Sequence, residues 1–242
     1  LDYLDKRQKF CKKKKIFFIE DAAQCFGSYF KKKPLGSFGD FACFSFHETK
    51  NFHSGVGGML VINNKKFLKK THFIFDKGTD RYNVQLGKQK YYSWVTMGSS
   101  FLLSELVASY LLPQIIEYKK IIKSRSKIYL RYLYNLNKWL KDEFYITNNY
   151  KFEYNYHTFV ILLKNSNREK FLKYLKKYNI NAVISYVPLH TSKAGKIYYS
   201  KDNQLNNTNI LSKKLVRLPM HNHLSLKEVD YVCDKIKKYF KK

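Results

Sequence analysis

Two short apolar runs, Ile16–Ile19 and Phe41–Phe44, each lead straight into side chains that can do chemistry. Glu20-Asp21 follows the first, and Ser45-Phe46-His47-Glu48-Thr49-Lys50 follows the second. Runs of this length, rich in aromatics and isoleucine, read as buried strands. Reactive groups just past the carboxyl ends of such strands lie where open α/β sheets hold their ligands. The pattern therefore predicts that the two strands run parallel, with Asp21 and Ser45 at one edge of the sheet.

A carboxylate from one strand end and a lysine amine from its neighbour can hold a cofactor at both poles. Pyridoxal phosphate has that requirement: its aldehyde takes a lysine ε-amine, and its pyridine nitrogen takes a carboxylate partner. Lys50 and Asp21 supply the two groups, and Ser45 carries a hydroxyl for a phosphate oxygen. Each residue alone has a plainer reading. Lys50 is one of many lysines, and Asp21 in Asp-Ala-Ala-Gln can cap a helix that begins at Ala22.

The remaining signals divide the 242 residues into a larger α/β part over 1–118 and a linking helix with a smaller α+β part over 119–242. Residues 1–15 read as the end of a helix, and lysines 31–33 as a solvated loop. Gly57–Val61 leads a third strand, after which Asn64 can cap a helix over 65–74. Periodic apolar residues from Gly98 to Lys119 predict a helix capped by Ser99 or Ser100 and kinked or split at Pro113. A long amphipathic helix follows over Ile121–Leu140, with Ile121, Ile128, Leu136 and Trp139 on its apolar side. Strands are predicted at His157–Leu163, Asn181–Tyr186 and Lys214–Leu218. Capping boxes at Ser166/Glu169 and Ser225/Glu228 open two helices, and Asn203–Asn209 reads as a polar loop.

Forty-six basic against 18 acidic residues give a formal net charge of +28. A charge of that size raises the reading of a polyanion-binding basic protein. The excess is nearly all lysine, dispersed throughout, whereas arginine, the better partner for phosphate and base edges, is scarce. Loose, salt-sensitive adsorption is expected rather than specific nucleic-acid recognition. Cys11, Cys25, Cys43 and Cys233 form no C-x-x-C pair. Cys25 and Cys43 read as buried thiols of a reducing compartment, and the absence of a long apolar stretch or leader points to the cytoplasm. His221 and His223 lack a third ligand, so no metal site is expected.

ED-AAQ at 20–24, GS-GD at 36–40, FSFHETKN at 44–51 and the glycines at 57–58 together resemble the core of the pyridoxal-phosphate-dependent aminotransferases that act on nucleotide-linked sugars. The likeness continues in KGTDR at 77–81, YYSWVTMGSSFLLSELVASYL at 91–111 and YVPLH at 186–190. ETKN, KGT-R and W-x-x-x-GSS are nearest to the branch that makes dTDP-4-amino-4,6-dideoxygalactose for enterobacterial surface glycans. The resemblance implies a fold-type I PLP-transferase architecture, a partial large α/β domain followed by a smaller C-terminal α+β domain. It implies a homodimer with shared active sites, glutamate as amino donor and a dTDP-4-keto-6-deoxy sugar as acceptor.

It also implies roles. Lys50 matches the Schiff-base lysine and proton shuttle, Asp21 the partner of the pyridine nitrogen, Gln24 the neighbour of the phenolic oxygen, and Ser45 a phosphate ligand. His47 can stack or hydrogen-bond beside the cofactor. Ser99 falls where a residue reaches the phosphate in the neighbouring subunit, and His190 on the substrate side. Val56 departs from the family's S-G-E-G-G, and Leu86 and Lys90 stand where arginine and aspartate are usual. Those changes and the abrupt start support a third reading, a non-catalytic or truncated remnant. In the family roughly the first third precedes ED-AAQ, carrying the stacking ring and much of the phosphate cup. On that ground the 242 residues alone are expected to bind the cofactor weakly and transaminate negligibly.

Overall fold

A computed structural model describes residues 4–137, 143–146, 153–184, 186–198 and 205–241. The chain opens with α1 (Leu4–Lys14), whose first turn carries Asp5 and whose last carries Lys12, Lys13 and Lys14, the charge order that suits the helix dipole. Then come β1 (Ile19–Asp21), β2 (Tyr29–Phe30), β3 (Lys33–Pro34), β4 (Phe41–Ser45) and β5 (Gly58–Ile62). β1, β4 and β5 form one sheet in the order β1-β4-β5. β1 and β4 pair in parallel, as predicted, with Ile19 opposite Phe41 and Asp21 opposite Cys43. β5 returns antiparallel and sets Gly58 opposite Ser45.

The first apolar run is not itself the strand. Ile16 bonds back to the Cys11 carbonyl, and the Phe18 amide donates to Asp40 Oδ2 at 2.9 Å, while the Phe18 carbonyl accepts from Asp40 N at 2.7 Å. Ladder pairing therefore starts only at Ile19, and Ile16 and Phe17 stay exposed. Nor is the sheet buried on both sides. Alternation along the pleat puts Glu20, Ala42 and Phe44 on a buried face and Ile19, Asp21, Cys43 and Leu60 on the other, which is exposed. Cys43 is thus an exposed thiol rather than a buried one, because no described element covers that face.

Glu20, buried among apolar groups, braces the turn before β4. Its Oε1 accepts from the amides of Phe38 and Gly39, both at 2.6 Å, and Oε2 accepts from Gly36 N at 2.9 Å. A glutamine there would set a donor against a donor and lose the charge assistance. Glu20→Gln is expected to lower unfolding free energy by about 2 kcal/mol, read as a shifted urea midpoint at unchanged slope.

Asp40 ties the same corner together, holding the Phe18 amide and the Asn64 side-chain amide at 2.9 and 2.7 Å. The Phe18 amide first, then Asn64, pull its carboxyl below the ordinary value of 3.8. A depressed folded value means that the stabilisation is complete above pH 3.8 and is lost as pH falls through the lower folded pKa. Acid unfolding curves of wild type and Asp40→Asn should therefore converge in that window and separate above it.

The lysine run is a hairpin turn, not a plain loop. Lys31 and Lys32, at φ 50° and 63°, join β2 to β3 in the conformation that the twist of a two-residue hairpin requires. Asn64 caps a short 3₁₀ turn, Lys65–Phe67, that runs into α2 (Leu68–Phe75), followed by α3 (Arg81–Gln85). The K-G-T and M-G-S-S elements then cross backbone against backbone. The Val95 and Thr96 amides donate to the Gly78 carbonyl, Ser99 N donates to Ile74 O, and a Cβ on Gly98 would lie 2.2 Å from the Gly78 nitrogen. Residues 98–100 are committed to that crossing, so neither Ser99 nor Ser100 caps a helix. α4 (Glu105–Ile116) starts later, with Ser104 Oγ accepting from Val107 N. Pro113 sits inside α4, and the break falls at Glu117, before α5 (Tyr118–Leu136). Trp139 and Leu140, predicted in this helix, lie outside the described residues.

By compactness the chain forms two units, Leu1–Lys119 with Phe152–Asn155, and Lys120–Lys151 with Tyr156–Lys242. The return of 153–155 to the first unit departs from the predicted division and has a cause: Tyr29 N donates to Glu153 O at 2.9 Å, and the Asn155 side chain is buried there.

The second unit holds β6 (Phe144–Ile146), β7 (Phe159–Leu163), α6 (Arg168–Lys177), α7 (Gly195–Tyr198), α8 (Asn206–Ser212), β8 (Leu215–Leu218) and α9 (Leu226–Phe240). β6, β7 and β8 make an antiparallel sheet. Its core joins Tyr132 and Leu136 of α5, Phe159 and Ile161 of β7, Phe171 of α6 and Val229 and Ile236 of α9. The Ser225/Glu228 capping box forms as predicted, with both reciprocal hydrogen bonds. At α6 the cap is Asn167, not Ser166, since Asn167 Oδ1 accepts from Lys170 N at 3.0 Å. In place of a strand over Asn181–Tyr186 there is a single bridge, Val183 to Arg217, and Ser185 lies outside the described residues. α8 occupies most of the predicted polar loop, whose residues 203 and 204 also lie outside them. Among the described residues, no helix is long and apolar enough to cross a membrane.

Candidate functional site

Asp21, the last residue of β1, projects from the exposed face of the sheet. Its Oδ1 accepts from Ala23 N at 3.2 Å, which starts a chain of turns rather than a helix, so Asp21 is no helix cap. The Ala22 amide still reaches the Cys43 carbonyl, and Cys25 N and Ser28 N close successive turns. Gln24 lies exposed on the outside of this segment.

β4 ends two positions from Cys43 on the same face, at Ser45. Ser45 Oγ accepts from His47 N at 3.3 Å, which leaves its own O–H free to donate. The opposite residue, Gly58, has no side chain, and a Cβ there would lie 2.8 Å from the Phe44 carbonyl oxygen. The segment after Ser45 folds as a closed loop: Phe46 N bonds Gly57 O, Glu48 N bonds Gly55 O, and Ser54 N returns to Phe46 O. Gly57, at φ 149°, is required, since a Cβ would sit 2.7 Å from Ser54 Oγ. Lys50 lies within this loop, its amide bonded to His47 O at 2.9 Å. The His47 ring is exposed and folds over its own turn, its Nδ1 within 3.1 Å of Thr49 Oγ1 and 3.3 Å of Thr49 N. An Nδ1 that accepts from an amide carries no proton, which leaves Nε2–H as the outward donor.

Cys25 joins the two halves electrostatically. Burial pushes its thiol above the ordinary range, the Gln24 backbone opposes this, the Asp21 and Glu20 carboxylates add to it, and the Lys50 ammonium subtracts. The charges of Asp21, which ends β1, and of Lys50, which follows β4, therefore both act on one half-buried thiol. Among the described residues, neither is taken up in an ion pair.

The other two predicted residues belong to other segments of the chain. Ser99 is in the same unit, held by backbone bonds to Ile74 and Lys77. His190 belongs to the second unit, in the 3₁₀ turn Leu189–Thr191, with Nε2 2.8 Å from Asn209 Oδ1. Two residues to which no role was assigned prove central: Asn51, the last residue of the ETKN motif, and Asn155, more than a hundred positions later, both buried. A polar residue adjoining a catalytic candidate was the available signal for Asn51. Asn155 had none.

Residues 3–237 match the profile of the DegT/DnrJ/EryC1/StrS aminotransferase family. The chain belongs to this family. Among relatives, GDP-perosamine synthase of Escherichia coli O157:H7 is 27% identical over 95% of the chain and 60% of its own length. The UDP-4-amino-4,6-dideoxy-N-acetyl-beta-L-altrosamine transaminase of Helicobacter pylori is 26% identical over 96% of the chain and 61% of its own. The crystal structure of Helicobacter pylori PseC, an aminotransferase of pseudaminic acid biosynthesis by its description, superposes with a TM-score of 0.87 at 22% identity, covering 98% of this chain and 63% of that one. The chain thus spans less than two thirds of the length of these relatives. Its fold is that of the family's PLP-dependent aminotransferases, and PLP is the family's cofactor.

The residues present fit that cofactor. Asp21 and Ser45 stand on one exposed face of the sheet, the Ser45 hydroxyl can donate, and Lys50 follows in the loop after β4, with neither Asp21 nor Lys50 in an ion pair among the described residues. Cys43 and Leu60, paired across β4 and β5, are exposed on the same face.

Proposed function

We propose that this chain carries the cofactor-binding core of a nucleotide-sugar aminotransferase. The supporting observation is that Asp21 ends β1, Lys50 follows the parallel strand β4 in a hydrogen-bonded loop, and the charges of both act on Cys25. When bound, PLP supplies an aldehyde that takes up an amino group and a ring that withdraws electrons from the adjoining carbon. Asp21 holds the proton on the ring nitrogen, Gln24 adjoins the phenolic oxygen, and Ser45 O–H donates to the phosphate. His47 Nε2–H lines the ring's edge. Lys50 Nζ anchors the cofactor and, when released, moves the proton at the carbon that carries the transferred nitrogen. In a homodimer Ser99 reaches the phosphate in the opposite subunit, and His190 faces the sugar. The acceptor is a nucleotide-linked keto sugar, a dTDP-4-keto-6-deoxyhexose, and the donor is glutamate.

The test is to add PLP below one equivalent, reduce with borohydride and map peptides. A single dominant label on Lys50 is the expected result. A label spread over the many exposed lysines in proportion to their accessibility would overturn the assignment.

A further inference from the structure

We propose that Asn155 is a positioning residue that sets Lys50 against Asp21; the inference rests on the cofactor site described above. Asn155 is 2% exposed and Asn51 4%, so every polar contact between them is made away from water. The Asn155 side chain donates from Nδ2 to the carbonyls of Gln24 at 2.8 Å and Phe26 at 3.0 Å, inside the turns that follow Asp21. Its own carbonyl accepts from Asn51 Nδ2 at 2.7 Å, and Asn51 is the residue directly after Lys50. Its amide donates to Ser28 Oγ at 3.2 Å, and two residues earlier Glu153 O accepts from Tyr29 N. One buried residue thus grips both segments that carry the cofactor contacts, the Asp21–Ser28 turns and the Lys50 loop.

Two features argue that the grip is specific. Among the described residues the buried Asn155 Oδ1 has no hydrogen-bond partner, so the amide makes its two donor bonds alongside an unmet acceptor. Aspartate, the isosteric alternative, has no such donors. The rings of Phe26 and Phe52, 5.2 Å apart, pack between the same two segments, so the polar clasp and an apolar contact fix one separation. Local sequence cannot set this distance.

Hydrogen exchange and Lys50 labelling, measured on the full chain as wild type, Asn155→Ala and Asn155→Asp, separate the possibilities. Without cofactor, both variants should speed exchange selectively at amides 22–28 and 50–52 while α9 amides keep their wild-type protection. With PLP and borohydride, the Lys50 label relative to that on Lys227, a lysine of α9, should fall about tenfold or more, inside the hundredfold that a ~1 Å misplacement can produce. Uniform acceleration across the unit, or unchanged exchange at both segments, overturns the clasp. A wild-type preference for Lys50 that survives both substitutions also overturns the positioning role. A wild type with no Lys50 preference but selectively loosened variants overturns the cofactor site instead, and the positioning role with it, while leaving the clasp itself standing.

Discussion

Replacing Arg125 with methionine is expected to destabilise the second unit by about 4 kcal/mol, near a thousandfold in its folded-to-unfolded ratio. The guanidinium is 3% exposed and forks into a ring of acceptors: Tyr156 O at 3.0 Å, His157 O at 2.8 Å, Met220 O at 3.3 Å and Asn222 Oδ1 at 2.8 Å. It thereby fastens the entry of β7 and the exit of β8 to α5. Methionine fills the volume but strands four acceptors, each worth about 1–3 kcal/mol when left dry. Arg125→Lys keeps the charge but has one nitrogen where the fork uses three, so it should fall between the two. Urea unfolding followed by far-ultraviolet circular dichroism gives the order, with an unchanged slope expected. Equal midpoints for lysine and arginine would show that charge, not fork geometry, is what the site needs.

Arg125 also shows what the sequence made legible and what it hid. Basic residues number 46, of which only six are arginine. In a chain so biased toward lysine, several arginines stand where a point charge would not serve. Arg131 grips both oxygens of Asp230 at 2.6 and 2.8 Å, Arg81 lies over the Tyr92 ring, and Arg168 reaches the Ser212 carbonyl. The scarcity was visible in the composition, and its meaning lay in asking where the exceptions stand.

Some features decided within a few residues read correctly, although at α6 the cap shifted by one residue to Asn167. The Ser225/Glu228 box depends on contacts three positions apart, and the parallel run of β1 and β4 follows from two apolar segments ending in chemistry. Features decided at a distance did not. Whether Ile16 to Phe18 join a strand turns on Asp40, more than twenty positions later. Whether Ser99 caps a helix turns on Gly78, whose backbone has already claimed that stretch. The Asp21, Ser45 and Lys50 cluster lies between these cases: its members are named by local motif, while the clasp that spaces them comes from residue 155.

Lys50→Ala should abolish the reducible link between the chain and PLP and weaken cofactor retention by at least about a hundredfold. Lys50 Nζ extends from a loop whose backbone is closed by three hydrogen bonds around Phe46, Glu48 and Ser54. A preplaced amine reacts at an effective concentration far above any attainable in solution. Alanine removes that amine and leaves Asp21 and the Ser45 hydroxyl, which hold the two ends of the cofactor without a covalent centre. Because general acid–base transfer contributes about 10²–10⁴ in rate, any amination of a nucleotide-linked keto sugar should fall by that much or more. A small primary amine added in excess should restore part of it, since proton transfer needs a base of the right kind near the carbon rather than this side chain as such. Lys50→Arg retains the charge but offers no amine of suitable basicity, and it should resemble alanine in the label and gain nothing from the added amine at the retention step. Absorbance of the protein-bound cofactor, followed by borohydride reduction and mapping, reads each variant. If Lys50→Ala keeps a stoichiometric label moved to another lysine, with the same retention, the chemistry belongs to that lysine.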